Sequence, residues 1–321
     1  MGKKRNKKTP RSKGKPKSRT PPPETRNWLD LPRDVTVSIL SRLRAIDVLE
    51  SAQKVCMGWR NICKDPLIWR TVDMSNGDCD FGAYDLDKMC RHAVDRSCGN
   101  LVDINIEHNC TDDLLKYITD RCGGIRRLRL VYCYFTSVGR FYEVASRLAL
   151  LEELNISLCR FSPESLQVLG SSCPLLRSFK LNHRCTSSNF VAGENDGEAL
   201  AIAGTMHGLR HLQLVQNQLT NDGLREILDS CPHLESLDLR HCFNLNLEGD
   251  LGKRCAEQIK QLRLPNDSID DYEFPATPYG FANFWEYIGS NDCEDPNSYD
   301  DLNDYAYEAY NDRGFSDDSD F

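Results

Sequence analysis

Seven stretches of the chain share one pattern: 101-LVDINI-106, 125-IRRLRL-130, 151-LEELNI-156, 176-LRSFKL-181, 209-LRHLQL-214, 234-LESLDL-239 and 259-IKQLRL-264. Apolar residues stand at the first, fourth and sixth places of each. The fourth and sixth share one face of an extended segment, and the first closes the turn leading into it. Successive first anchors are 24, 26, 25, 33, 25 and 25 residues apart, and the one long interval carries an insertion around SSNFVAGENDGEA (187–199). A repeat of this length supplies one short strand and one helix, and no unit can bury its apolar face alone. The fold class is therefore α/β, a curved solenoid with parallel strands on its concave side. Trp69, Val72 and Met74 fit the same spacing, which predicts an eighth, degenerate unit at the start.

The pattern resembles leucine-rich repeats, and the cysteines fit the cysteine-containing subclass. Cys98, Cys122, Cys173 and Cys231 each precede a first anchor by three residues. Cys133, Cys159 and Cys242 each follow a last anchor by three, a place taken elsewhere by Asn109 and Asn217. A compact side chain with a weak donor suits the inside of a turn. Fifteen cysteines without one CxxC spacing are thus read as packing residues, with neither metal nor cofactor expected.

Residues 27–69 read differently. Val35, Ile39, Leu40 and Leu43 fall on one face of a helix whose first turn suits Pro32. Asp47 is placed to cap a second helix carrying Val48, Leu49, Ala52 and Val55, and a third runs from Met57 to Cys63 before Pro66. Three short helices make a very small core, so such a unit completes itself against a neighbour or a partner.

The segment LPRDVTVSILSRLRAIDVLESAQKVCMGWRNICKDPLIW (31–69) resembles an F-box across its whole length: the Leu-Pro opening, the Ile-Leu pair, the following Leu, the Val-Cys-x-x-Trp-Arg run and the closing Pro-x-x-Trp. With the repeats behind it, the chain resembles plant F-box/leucine-rich-repeat proteins. The resemblance implies a three-helix unit that binds the Skp adaptor of ubiquitin ligases and, through it, the cullin and RING subunits. It assigns adaptor contact to Leu31, Pro32, Ile39, Leu40, Leu43, Val55 and Trp59, any of which could instead hold the unit's own core. A scaffold or assembly factor working outside ubiquitin transfer is the alternative function.

The charge asymmetry belongs to the termini. Residues 1–26 hold eleven Lys or Arg against Glu24 alone, and residues 270–321 hold fifteen Asp or Glu against Arg313 alone. The first segment has too little apolar surface to order itself and reads as a disordered basic tail. Residues 269–321 read as an acidic, largely disordered tail, in which Phe281, Phe284, Trp285, Tyr287 and Ile288 could cover the open end of the solenoid. This tail could also fold back on the basic segment or on arginines of the concave strands, a contact that screening over about 8 Å at physiological salt disfavours. The expected division is a 1–26 tail, a 27–69 F-box, 70–268 repeats and a 269–321 tail. No stretch has the character of a secretion signal or membrane span, which places the chain in nucleus or cytoplasm without a membrane partner.

In each strand the residues between anchors should line the concave face, ending in the row Glu107, Val131, Ser157, Asn182, Val215 and Arg240. Arg127, Arg129, Lys180, Arg240 and Arg263 are the cations expected to anchor acidic or phosphorylated groups of a protein substrate. Nucleic-acid binding is disfavoured, because the body lacks both net positive charge and a recognisable nucleic-acid module. GxSxG, GxxxxGK[ST] and HExxH are all absent, and Gly249–Lys253 is too short for a phosphate loop, so no catalytic residue is expected. His207 and His211 fall in a turn and a strand and form no metal-binding helix face.

Overall fold

The computed structural model describes residue 28 and residues 31–75, 85–108, 110–133, 138–159, 161–183 and 195–274. The 1–26 segment, everything from 275 onward with the 281–288 aromatic group, Asn109 and residues 184–194 of the insertion region lie outside the described residues.

Helix α1 (Arg33–Leu40) follows Pro32. Next come α2 (Ala45–Asp47), a π-helical turn at Val48–Ala52, and α3 (Gln53–Val55) in one continuous run. The sequence placed Asp47 at the start of this run. Instead it begins three residues earlier, with Arg44 at the cap position, and Asp47 accepts a hydrogen bond from Arg44 Nε at 2.9 Å. Helix α4 (Met57–Cys63) is capped by Cys56, whose Sγ accepts from Trp59 N–H. A 3-10 turn at Pro66–Arg70, capped by the Asp65 carboxylate, then leads into the sheet.

The eight strands are β1 (Thr71–Met74), β2 (Asp103–Glu107), β3 (Arg127–Val131), β4 (Glu153–Ser157), β5 (Ser178–Asn182), β6 (His211–Gln213), β7 (Ser236–Asp238) and β8 (Gln261–Arg263). They pair in parallel and in sequence order. The register aligns Val72, Ile104, Leu128, Leu154, Phe179, Leu212, Leu237 and Leu262, so the middle anchors form one continuous row. The expected degenerate first unit is therefore present as β1. Between strands run α5 (Leu86–Arg96), α6 (Asp112–Arg121), α7 (Val138–Ala145), α8 (Pro163–Ser172), α9 (Gly197–Thr205), α10 (Asn221–Ser230) and α11 (Asp250–Gln258). Thr111, Ser162 and Thr220 cap α6, α8 and α10, each hydroxyl accepting a first-turn N–H.

Five of the repeats turn sharply after the strand. His108, Tyr132, Leu158, Gln216 and His241, each two residues past a last anchor, have φ between 52° and 63°. That left-handed conformation costs a bulky side chain roughly 1–2 kcal/mol. It points each N–H at a carbonyl of the next repeat, as Tyr132 N does to Ser157 O at 3.2 Å and Gln216 N to Arg240 O at 3.0 Å. Cys133, Cys159 and Cys242 sit buried one residue further on, with Sγ directed at the last-anchor carbonyls Ile106 O, Leu130 O and Leu214 O respectively. Burial pushes Cys242 up to about 12 and holds Cys133 well above the usual thiol range, so these groups stay protonated. Before the strands, Cys122, Cys173 and Cys231 are buried as expected. Cys98 is not: an extra residue follows α5, Ser97 takes the buried place with its Oγ 3.6 Å from Cys122 Sγ, and Cys98 is left exposed at φ 49°.

Candidate functional site

Two surfaces stand out, one at each part of the molecule. On the helical unit, Thr36 and Leu40 form the buried side of α1, which packs on α4. Leu40 is wholly buried, which corrects its expected contact role: it belongs to the unit's own core. Val35 and Leu43, which the helical spacing puts on one face with Leu40, are about 40% exposed. The apolar residues of this segment outnumber the inward positions that three short helices offer, so part of the stripe stays in water. Pro32 and Val55 are exposed as well, whereas Leu31, Ile39 and Trp59 are half-buried. Trp28, Met57 and Leu67, which the sequence did not single out, are more than 60% exposed. Trp28 meets Trp59 edge to face at 6.4 Å. Of the twelve large apolar side chains exposed among the described residues, six lie in this short unit.

The second surface is the concave face. The first two of these residues in each strand are at least partly exposed, apart from the buried Asn155, but the third row is largely closed: Val131, Ser157, Asn182, Val215 and Arg240 are all buried. They pack along the row as a polar seam, with Asn182 Nδ2 donating to Ser157 Oγ and Asn182 Oδ1 accepting from Val215 N.

The five expected cations fare differently. Arg127 is half-exposed and pairs with Asp103 across the register, Nε to Oδ2 at 2.8 Å. Arg129 donates to Asn105 and Glu107 of the preceding strand and, at 3.1 Å, to Glu273. Lys180 makes no ion pair among the described residues. It lines a hollow of about 160 Å³ together with His211, Gln213, Asp238 and Arg263. Arg263 pairs with Asp271 at 2.7 Å. Arg240 is only 5% exposed, locked by Asp238 through Nε and Nη2 and by the Ser268 carbonyl and Asp271 through Nη1. It is therefore not a free anchor, because its donors are already used.

Residues 268–274 thus return across the concave face, contrary to the expectation that screening would keep the acidic segment away. Screening weakens pairs separated by a Debye length of water, whereas these pairs are in direct contact. Asp271 is held below its ordinary value, first by its hydrogen bond to Arg240 and then by the charges of Arg240 and Arg263. Phe274 lies edge-on to Tyr132 at 6.3 Å and to Tyr272 at 5.5 Å. Tyr132 in turn stacks flat on His108, with centroids 4.9 Å apart. The sequence signal for this contact is the alternation Asp271-Tyr272-Glu273-Phe274 opposite rows of arginine.

Fold and site define a repeat protein of the leucine-rich-repeat class with a helical module joined to its first strand. The F-box-like family profile matches residues 28–75, and the Leucine Rich repeat profile matches 206–228 and 230–249. F-box protein SKIP19 of Arabidopsis thaliana is 49% identical over 294 residues, spanning 90% of each chain. F-box/LRR-repeat protein 23 of the same plant is 52% identical over 76% of this chain and 55% of its own. Among solved structures, a chain of the yeast Rad7 and Elc1 complex aligns with a TM-score of 0.44 at 13% identity, over 68% of this chain and 57% of that one. The chain belongs to the F-box/leucine-rich-repeat family.

Proposed function

We propose that this chain is the substrate-recognition subunit of a Skp–cullin–F-box ubiquitin ligase, acting in nucleus or cytoplasm. Its F-box docks on the Skp adaptor, which joins it to the cullin and RING subunits, and its concave face holds a protein substrate. The chain performs no bond chemistry itself. Its contribution is positional: tethering raises the substrate's effective concentration beside the transferring enzyme.

The observation that carries this reading is the apolar surface left bare on the F-box. Fully burying one such side chain contributes roughly 1.5–3 kcal/mol, so covering Val35, Leu43, Val55, Met57 and Leu67 together would drive a stable association. Leu43 and Val55 are exposed, so truncating them removes docking area and little internal packing.

Co-purification with a Skp adaptor tests the reading. The wild type is expected to retain the adaptor, and the triple variant Pro32→Ala, Leu43→Ala, Val55→Ala to lose it with its circular dichroism unchanged. Absence of adaptor from the wild-type preparation would end the ligase assignment. Adaptor binding without accumulation of any repeat-bound protein when the chain is removed from cells would point to a scaffold instead.

A further inference from the structure

Beyond β8 the chain doubles back, turning at 268–272 where Asp270 N donates to Ser268 Oγ and Tyr272 N to Ile269 O. It then lays four residues over the concave face. Asp271 is gripped by two guanidinium groups, Arg240 at 2.5 Å and Arg263 at 2.7 Å. Glu273 reaches Arg129 on β3, several repeats away, so the segment bridges the two arms of the solenoid. Between and beyond these carboxylates the rings alternate: Arg240 lies 6.0 Å from the Tyr272 ring and Arg129 5.8 Å from that of Phe274.

We propose that this surface is the peptide-binding site of the repeats, that its ligand is an extended protein segment alternating carboxylates with aromatic rings, and that residues 271–274 occupy it as a tethered stand-in which the ligand displaces. The inference deepens the substrate half of the proposed function and rests on it.

Four features support it. The site is charge-complementary to such a ligand: Arg240 and Arg263 against Asp238 leave one positive charge over, which Asp271 cancels. It offers ring surfaces as well, with Tyr132 fixed by its stack on His108 and meeting Phe274 edge-on. The stand-in also fits imperfectly. The Tyr272 hydroxyl is buried without a hydrogen-bond partner among the described residues, a defect that a ligand carrying Phe there would not have. Next to Arg263, the hollow lined by Lys180 and Gln213 gives a longer ligand space that residues 271–274 leave unused, with a cation at its wall.

The test uses the full chain and a fluorescent synthetic peptide with the sequence of residues 268–274. In the variant Asp271→Asn, Glu273→Gln the stand-in is weakened. Because a tethered competitor acts at an effective concentration in the millimolar range, this variant is expected to bind the peptide at least about tenfold more tightly than the wild type. Adding Arg129→Gln and Arg263→Gln, both at partly exposed positions, should abolish that binding. A control peptide with Asn and Gln in place of its acids should not bind even the weakened variant, a result that needs no second protein to fold. Equal peptide affinity in wild type and weakened variant would overturn the inference, as would binding of the amide peptide. The same preparations are assayed for the adaptor. Failure of the peptide with adaptor retained sinks this inference alone, and failure of the adaptor with peptide binding intact sinks the ligase reading alone.

Discussion

The His183 ring lies against the Glu198 carboxylate, Nε2 to Oε2 at 2.8 Å, and Asn217 Nδ2 donates to the same oxygen at 2.6 Å. Burial alone would lower this imidazole, but the hydrogen bond and charge of Glu198 outweigh it, and its titration point is raised above the ordinary 6.5. A group raised on folding stabilises the fold fully below its unfolded value and loses that contribution as pH rises through the folded one. Urea melts should therefore show the wild type losing stability from about pH 6.5 upward. Glu198→Gln should flatten that slope, and NMR titration should return His183 toward or below its ordinary value. Nothing in the sequence announced this pair, because fifteen residues and an insertion separate its members. The turn cysteines were legible, since burial of a small side chain recurs with the repeat. The exception, Cys98, came from one inserted residue that shifted the buried place to Ser97.

At the scale of elements, the anchors were legible from spacing: a residue that must face the core in every unit leaves a mark at every period. The packing of neighbouring helices left a fainter mark. A Cβ added at Gly170 of α8 would collide with the Thr205 hydroxyl of α9 and approach Met206 Cγ to 2.9 Å, whereas at Gly123 it would meet nothing within 4 Å. Gly170→Ala should destabilise the fold by about 1–3 kcal/mol through overpacking, and Gly123→Ala should lie within about 0.5 kcal/mol of wild type in denaturant melts. On α1 the periodicity of Val35, Ile39, Leu40 and Leu43 was legible, but not how these residues divide between core and surface. Leu40 went inward and Val35 and Leu43 stayed out, because helical periodicity reports which residues share a face without reporting what that face meets.

Over the whole molecule, Trp69 fastens the F-box to the solenoid. It is buried, donates from Nε1 to Cys63 O at 2.8 Å, and lies under the Arg96 guanidinium, which also bonds Gln53. Trp69→Ala should cost about 3–5 kcal/mol and reduce adaptor retention on warming, even though Trp69 cannot touch a partner; thermal melts beside co-purification would show both effects. The sequence by itself determined the solenoid, its strand register and the F-box ahead of it. These rest on local apolar periodicity and on a motif contained within some forty consecutive residues. Only the tertiary structure decided which cations remain available and where the acidic segment lies. Arg240 and Asp271, or Arg129 and Glu273, stand 31 and 144 residues apart and meet only because the stacked repeats curve, turning rows of side chains into a concave wall opposite residues 268–274.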